Sequence, residues 1–156
     1  MTRAFLVVAV ALLATSCSGP EQPKSESKSK SPAPQPADES SRLPKANQTA
    51  TRVIDKELGG KAFMPGGTVG RYKHGTREYE IFIGKLGSAN DAAFLLLDWK
   101  RELQQAHFLA SYGGYFGTDA GRPVFVFTKG PWIAGIAGLP EKEADAEARV
   151  LASALN

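Results

Sequence analysis

The feature that most constrains the fold of this chain is a long polar stretch, residues 18–48, which reads SGPEQPKSESKSKSPAPQPADESSRLPKANQ. Ser, Pro, Lys, Glu and Gln dominate it, and Leu43 is its only sizeable apolar residue. Such a segment buries too little apolar surface to offset the conformational entropy lost on ordering. We therefore predict a disordered tether over residues 17–50 and a single folded domain over residues 51–156.

The first sixteen residues have the pattern of a signal peptide. Arg3 precedes an apolar run from Ala4 to Ala14, about eleven residues. That length is typical of a signal-peptide core and is well short of the roughly 20 residues that span a bilayer as a helix. Thr15 and Ser16 are small residues that end the run, so we predict that residues 1–16 are removed on export.

The residues around the single cysteine extend this prediction. The stretch Leu13-Ala14-Thr15-Ser16-Cys17 resembles the processing site of bacterial lipoprotein precursors, although that family more often has Leu in place of Ala14 and Gly or Ala in place of Ser16. The resemblance implies that Cys17 becomes the acylated first residue of the mature chain, which anchors the protein to the cell envelope. In this family, an Asp directly after the cysteine is typical of proteins retained at the inner membrane. Because residue 18 is Ser, the resemblance implies that in a Gram-negative host the protein is anchored in the outer membrane, facing the periplasm. The same residues also suit an ordinary signal peptidase, which would leave Cys17 as a free thiol.

Charge and cysteine content argue against a nucleic-acid-binding protein and against a disulfide-stabilised one. The formal net charge is +3, but the two signs are mixed along the whole chain, and no segment carries a strong field of one sign. We therefore expect no nucleic-acid partner. One cysteine cannot form an internal disulfide, so the core alone must hold the fold.

The pattern of apolar residues predicts eight elements in the order α-β-β-α-β-β-β-α. A helix is expected over Arg52–Gly60, a hairpin turns at His74-Gly75, and a second helix begins after Ser88, with Phe94 and Leu97 widening its apolar stripe. Three further strands are expected over 107–117, 122–129 and 132–139, with Gly113-Gly114 as a bulge or a bend, and a last helix begins at Pro140. The predicted fold class is α+β, a mostly antiparallel sheet of about five strands with helices packed on one face.

Few residues of the predicted domain have a recognisable chemical role. His74 and His107 are too few to bind a metal without convergent carboxylates, and the glycine-rich stretches lack the lysine of a phosphate-binding loop. We therefore expect neither a metal nor another cofactor. Glu78 and Glu80 project to one side of a strand and are the candidates for a catalytic carboxylate pair, although such a pair is also typical of a solvated face.

The aromatic residues suggest a binding role. Tyr72, Tyr112, Tyr115 and Trp132 lie on or beside predicted strands and are candidates for an exposed ligand platform, the alternative being an aromatic core. The sequence thus favours a membrane-anchored envelope lipoprotein whose domain binds or scaffolds an envelope protein or a cell-wall polymer. One rival interpretation is a small envelope hydrolase that uses Glu78 and Glu80 or a histidine. Another is a subunit whose sheet face or edge pairs with another protein.

Overall fold

The computed structural model describes residues 35–156, which form an α+β fold around one antiparallel sheet of seven strands. The predicted signal peptide, Cys17 and residues 18–34 of the predicted tether lie outside the described residues. The elements are β1 (Gln48–Lys56), β2 (Pro65–His74), β3 (Arg77–Lys85), α1 (Ala89–Glu102), β4 (Gln104–Leu109), β5 (Gly114–Asp119), β6 (Arg122–Lys129), β7 (Trp132–Ala137) and α2 (Glu141–Ala154), with 3-10 turns at Ser40–Arg42 and Leu58–Gly60. The strand order in the sheet is β1-β2-β3-β7-β6-β5-β4.

The prediction of a helix over Arg52–Gly60 is wrong, because most of this segment belongs to the edge strand β1. Arg52 lies opposite Val69 and Ile54 opposite Gly67 in the antiparallel ladder with β2. The helical spacing of Ile54 and Leu58 suggested a helix, but the β-branched residues of β1 suit a strand and β2 offers it a partner. Leu58 enters the core from the short 3-10 turn that follows the strand.

The single strand predicted over residues 107–117 is in fact two strands, β4 and β5, joined by a tight turn. Leu109 lies opposite Gly114, and His107 lies opposite Phe116. Gly113 reverses the chain with φ at +66°, a left-handed conformation that glycine adopts without steric cost. The Gly113-Gly114 pair therefore lies at the turn of a hairpin and is not a bulge or a bend within one strand. Together with β1, this hairpin raises the number of strands from about five to seven.

The helices pack on opposite faces of the sheet, not on one face as predicted. Alternate residues of each central strand point to opposite sides, so Phe125 and Phe127 contact the α2 layer while Val124 and Val126 contact the α1 layer. Strands β6 and β7 are apolar on both sides, and both sides therefore need a cover. The predicted inner face of α2 is confirmed, since Ala144, Ala148, Leu151 and Leu155 are all buried there.

Local signals in the sequence are otherwise largely confirmed. Gly75 lies in the two-residue loop between β2 and β3, and the Ser88 hydroxyl accepts a hydrogen bond from the Asp91 backbone N–H at 3.1 Å, capping α1. The apolar stripe of α1 is narrower than predicted, because Phe94 is 66 % exposed and Leu97 is also exposed. Within residues 35–156, neither helix is long and apolar enough to cross a membrane.

Residues 36–44, which we call the strap, belong to the folded domain, contrary to the prediction of a disordered tether up to residue 50. Leu43 is only 2 % exposed and packs in the α2-face core. The strap backbone accepts a hydrogen bond from the Tyr72 hydroxyl at Pro44, 3.0 Å, and donates one from Glu39 to the Thr68 hydroxyl, also 3.0 Å. The seven-stranded sheet is wider than α2, and the strap covers the part of this face that α2 leaves open.

Candidate binding groove

The α1 face of the sheet is covered by helix over only part of its width. Helix α1 packs mainly across β4–β7, and the 3-10 turn at Leu58–Gly60 packs on β2 and β3. The remaining surface over β1, β2 and β3 carries the charged side chains of Arg52, Arg71 and Glu80. A groove is left between these strands, the turn and α1.

The deeper part of the groove is a cavity of about 280 Å³ with an apolar wall. Phe82 and Trp99 form part of its wall, with their rings stacked at a centroid distance of 5.6 Å and an interplanar angle of 20°. The other wall residues include four apolar side chains and several charged or glycine residues: Ile54, Val69, Val124, Ala137, Arg52, Glu80, Asp119, Arg122, Gly59 and Gly60. Its size is near the lower end of that found for small-molecule sites.

A polar hollow of about 530 Å³ adjoins the cavity. Glu80 and Arg122 line both spaces, and the hollow continues from them past Arg71 and Lys73 to Thr49 at the start of β1. We refer to the cavity and the hollow together as the α1-face groove. Its two parts differ in chemistry, one end apolar and the other charged.

Glu80 is the centre of an ion network at the junction of the two parts. One carboxylate oxygen accepts from Arg71 Nε at 3.3 Å, and the other accepts from Arg122 Nη1 at 3.1 Å. Arg122 also donates from Nη2 to the Ala137 carbonyl at 2.9 Å. These contacts fix the guanidinium of Arg122 beside the cavity wall.

Lys61 fixes the loop that bounds the cavity on the other side. Its ammonium donates to Asp119 at 2.8 Å and to Glu102 at 3.4 Å, and it lies 5.4 Å from the centroid of Trp99. Burial lowers the pKa of Lys61, but the hydrogen bond and charge of Asp119, together with those of Glu102, outweigh burial and raise it above its usual value. Lys61 therefore stays protonated, and it ties the 57–64 loop to α1 and β5.

The structure does not bring the four predicted platform residues onto one exposed surface. Tyr72 and Trp132 are each 1 % exposed and belong to the α2-face core. Tyr112 packs on Phe127 on that same side, while Tyr115 packs on the α1 side of the sheet. These aromatic side chains mainly pack in the core, because apolar residues of the strands and helices surround them on both faces of the sheet.

Of the predicted catalytic candidates, Glu78 and Glu80 both line the polar hollow, whereas the two histidines lie elsewhere. Glu78 is exposed and lies 4.0 Å from Lys73, whereas Glu80 belongs to the ion network beside the cavity. His74 is exposed at the β2–β3 turn, and His107 lies 2.9 Å from Glu141 near the start of α2. Within residues 35–156, no group of three His, Cys, Asp or Glu side chains is arranged to hold a metal ion.

Glu78 and Glu80 were predicted as candidate site residues, but most of the other residues of the groove were missed because each was interpreted within its own strand. Four strands place a charged residue two positions from an apolar one on the α1 face: Arg52 and Ile54, Arg71 and Val69, Glu80 and Phe82, Arg122 and Val124. This repeated spacing is the signal that could have revealed a surface with one apolar and one charged end. The chain matches no protein-family model, no curated protein and no solved structure.

Proposed function

We propose that this chain is a membrane-anchored cell-envelope lipoprotein whose folded domain binds a ligand or partner in the α1-face groove. The observation that carries the proposal is the groove itself, with apolar walls around Phe82 and Trp99 and charged groups at Glu80 and Arg122. Clefts that combine apolar walls with a few fixed polar groups are typical binding sites. The anchor rests on the resemblance of Leu13–Cys17 to lipoprotein processing sites.

The ion pairs of the groove support binding without catalysis. Both oxygens of the Glu80 carboxylate accept hydrogen bonds from guanidinium groups, an arrangement typical of a binding or structural ion pair. Glu78 is exposed to solvent and lies beside Lys73. Fixed guanidinium and carboxylate groups of this kind suit the recognition of a polar ligand, an envelope protein or a cell-wall polymer.

The positions of the strap and of the groove are compatible with anchoring. The strap lies on the α2 face, and Arg42 at its end donates to the Ala154 carbonyl at 2.9 Å. The groove opens on the opposite face of the sheet. The strap, through which the preceding residues join the folded domain, therefore does not cover the groove.

The anchor is tested by the intact mass of the protein purified from its host. We expect the wild-type chain to sediment with membranes and to carry the added mass of a lipid on Cys17. The Cys17→Ser variant should lack this mass and should be released from the membrane fraction. A wild-type chain that has been cut before residue 17 and bears an unmodified thiol would refute the anchor and favour the ordinary signal peptidase.

The binding site is tested by a photo-crosslinking amino acid placed at Arg52, on the wall of the groove, and at Lys142, exposed on α2. Both positions remove one exposed cation, so the second serves as the matched control. We expect a defined crosslinked product in host cells from position 52 and none of the same mass from position 142. Products that form equally from both positions, or only from position 142, would exclude the groove as the binding surface.

A further inference from the structure

We infer that the α1-face groove binds a single-chain amphiphile with an anionic head group, such as a carboxylate or a phosphate monoester. This inference rests on the binding role proposed above and specifies the chemistry of the ligand. It follows from three properties of the groove: an apolar pocket, an excess of cations around it, and the direct continuity of the two.

The apolar end of the ligand would occupy the cavity of about 280 Å³. Val69, Phe82, Val124 and Ala137 form its walls from four neighbouring strands, and Trp99 closes it from α1. Water in such a space has few polar partners on these walls, so its displacement by an apolar group is favourable. The volume suits one chain or ring and does not suit a folded polypeptide segment.

The charged end of the ligand would meet a site with more cations than carboxylates. The cations on or next to the cavity wall are Arg52, Lys61, Arg71 and Arg122, and the carboxylates are Glu80, Glu102 and Asp119. Glu80 is paired with Arg71 and Arg122, and Asp119 is paired with Lys61. Within residues 35–156, Arg52 has no carboxylate partner within ion-pair distance, and its exposed guanidinium is therefore available to an anion.

The junction of the cavity and the hollow determines where the two ends of the ligand lie. Arg122 and Glu80 line both the cavity and the polar hollow, so a chain that fills the cavity places its head group beside them. A small inorganic anion would leave the apolar cavity unfilled, and an uncharged apolar molecule would leave Arg52 without a partner. An amphiphilic anion satisfies both ends.

The experiment uses the full chain as the Cys17→Ser variant, so that no attached lipid competes for the cavity. Octanoate and octyl phosphate are titrated by calorimetry, and two-dimensional amide NMR locates the site. Octanol provides the same chain without charge, and butyrate provides the charge with a shorter chain. We expect both anions to bind more tightly than octanol and butyrate, with amide shifts centred on Gly59, Val69 and Phe82. The stronger of the two anions identifies the head group.

Two variants separate the apolar and the charged contributions. Ala137→Leu fills the cavity and should abolish octanoate binding, whereas Ala93→Leu on the exposed side of α1 should not change it. Arg52→Gln should weaken octanoate binding roughly tenfold and leave octanol binding unchanged, and Lys142→Gln should change neither. Because Arg52 is on the surface, its variant keeps the test valid even if Ala137→Leu fails to fold.

Several results would overturn the inference. These are equal affinities for octanoate and octanol, an affinity for butyrate equal to that for octanoate, or an Arg52→Gln effect no larger than that of Lys142→Gln. If octanoate does not bind while photo-crosslinks from position 52 persist, the ligand class is wrong and the groove remains the binding surface. If both experiments fail, the proposed function fails as well.

Discussion

Gly135 on β7 lies directly opposite Phe82 on β3, and the aromatic ring occupies the space that a side chain at residue 135 would need. A Cβ atom added to Gly135 would lie 2.0 Å from Cζ of Phe82, far inside van der Waals contact. The same ring stacks on Trp99 and forms the wall of the cavity. The absence of a side chain at residue 135 thus allows β3, β7 and α1 to pack together around the groove.

The close contact predicts that Gly135→Ala is destabilising. The added methyl group must displace Phe82 from its stack on Trp99, and overpacking of this kind costs about 1–3 kcal/mol in the free energy of unfolding. Urea denaturation monitored by circular dichroism measures the change. Gly87→Ala is the control, because a methyl group there would meet only the end of the Asp91 side chain, at 3.4 Å, and its cost should be within about 0.5 kcal/mol. Equal stabilities of the two variants would contradict the packing described here.

The ion network predicts different effects for the two neighbouring glutamates. Glu80→Gln should lower the free energy of unfolding by about 1 kcal/mol, because it weakens the partly exposed pairs with Arg71 and Arg122. Glu78→Gln removes a loose, exposed pair with Lys73 and should cost less than about 0.5 kcal/mol. Urea denaturation at low salt and at about 1 M salt measures both, and salt should reduce the Glu80 effect. A larger effect at Glu78 than at Glu80 would refute the network as described.

The strap predicts that residues before the expected domain boundary contribute to stability. Leu43→Ala should cost about 2–4 kcal/mol, since it leaves a cavity in the α2-face core. Leu97→Ala removes the same atoms from an exposed site on α1 and should cost less than about 1 kcal/mol. Thermal and urea denaturation compare the two. If Leu43→Ala is as mild as Leu97→Ala, residues 36–44 do not belong to the core.

Burial of the tyrosines predicts a loss of stability at alkaline pH. Burial, and then the nearby Glu147 carboxylate, raise the pKa of Tyr79 from 10.0 to about 12, and burial also raises the pKa of Tyr72. A raised pKa means that the folded state keeps a proton that the unfolded state loses. The stabilisation is therefore complete below pH 10 and declines as the pH rises from 10 towards 12.

The free energy of unfolding, measured by urea titration at several pH values between about 8 and 11.5, checks this expectation. Tyr79→Phe cannot ionise, so the decline above about pH 10 should be shallower in this variant than in the wild type. The Tyr79 hydroxyl lies 3.4 Å from a Glu147 oxygen, and Glu147→Gln should reduce the decline by a smaller amount. A wild-type slope that Tyr79→Phe leaves unchanged would show that Tyr79 does not cause it.

The elements that the sequence predicts well are those with strong local signals. Ser88 caps α1, Gly75 lies in the β2–β3 turn, and the apolar alternation of β6 identifies a strand buried on both sides. Capping, turn geometry and side-chain period all act within a few residues, so one stretch of sequence contains the whole signal.

The elements that it predicts poorly depend on partners distant in the chain. Residues 48–56 become a strand because β2 is available to pair with them, and Leu43 is buried because α2 leaves part of the sheet open. The candidate site follows the same rule. Arg52, Arg71, Glu80 and Arg122 come together only because β1, β2, β3 and β6 join one sheet, in which β7 lies between β3 and β6.

The sequence by itself determined the α+β class, the inner face of α2 and most of the central strands, because apolar spacing and turn residues act locally. The anchor at Cys17 stays a prediction of the sequence. Only the tertiary structure decided that the sheet has seven strands, that the helices cover opposite faces and that a groove opens beside α1. The physical reason is that strand pairing and the choice of a covered face depend on contacts between residues far apart in the chain, which no local pattern specifies.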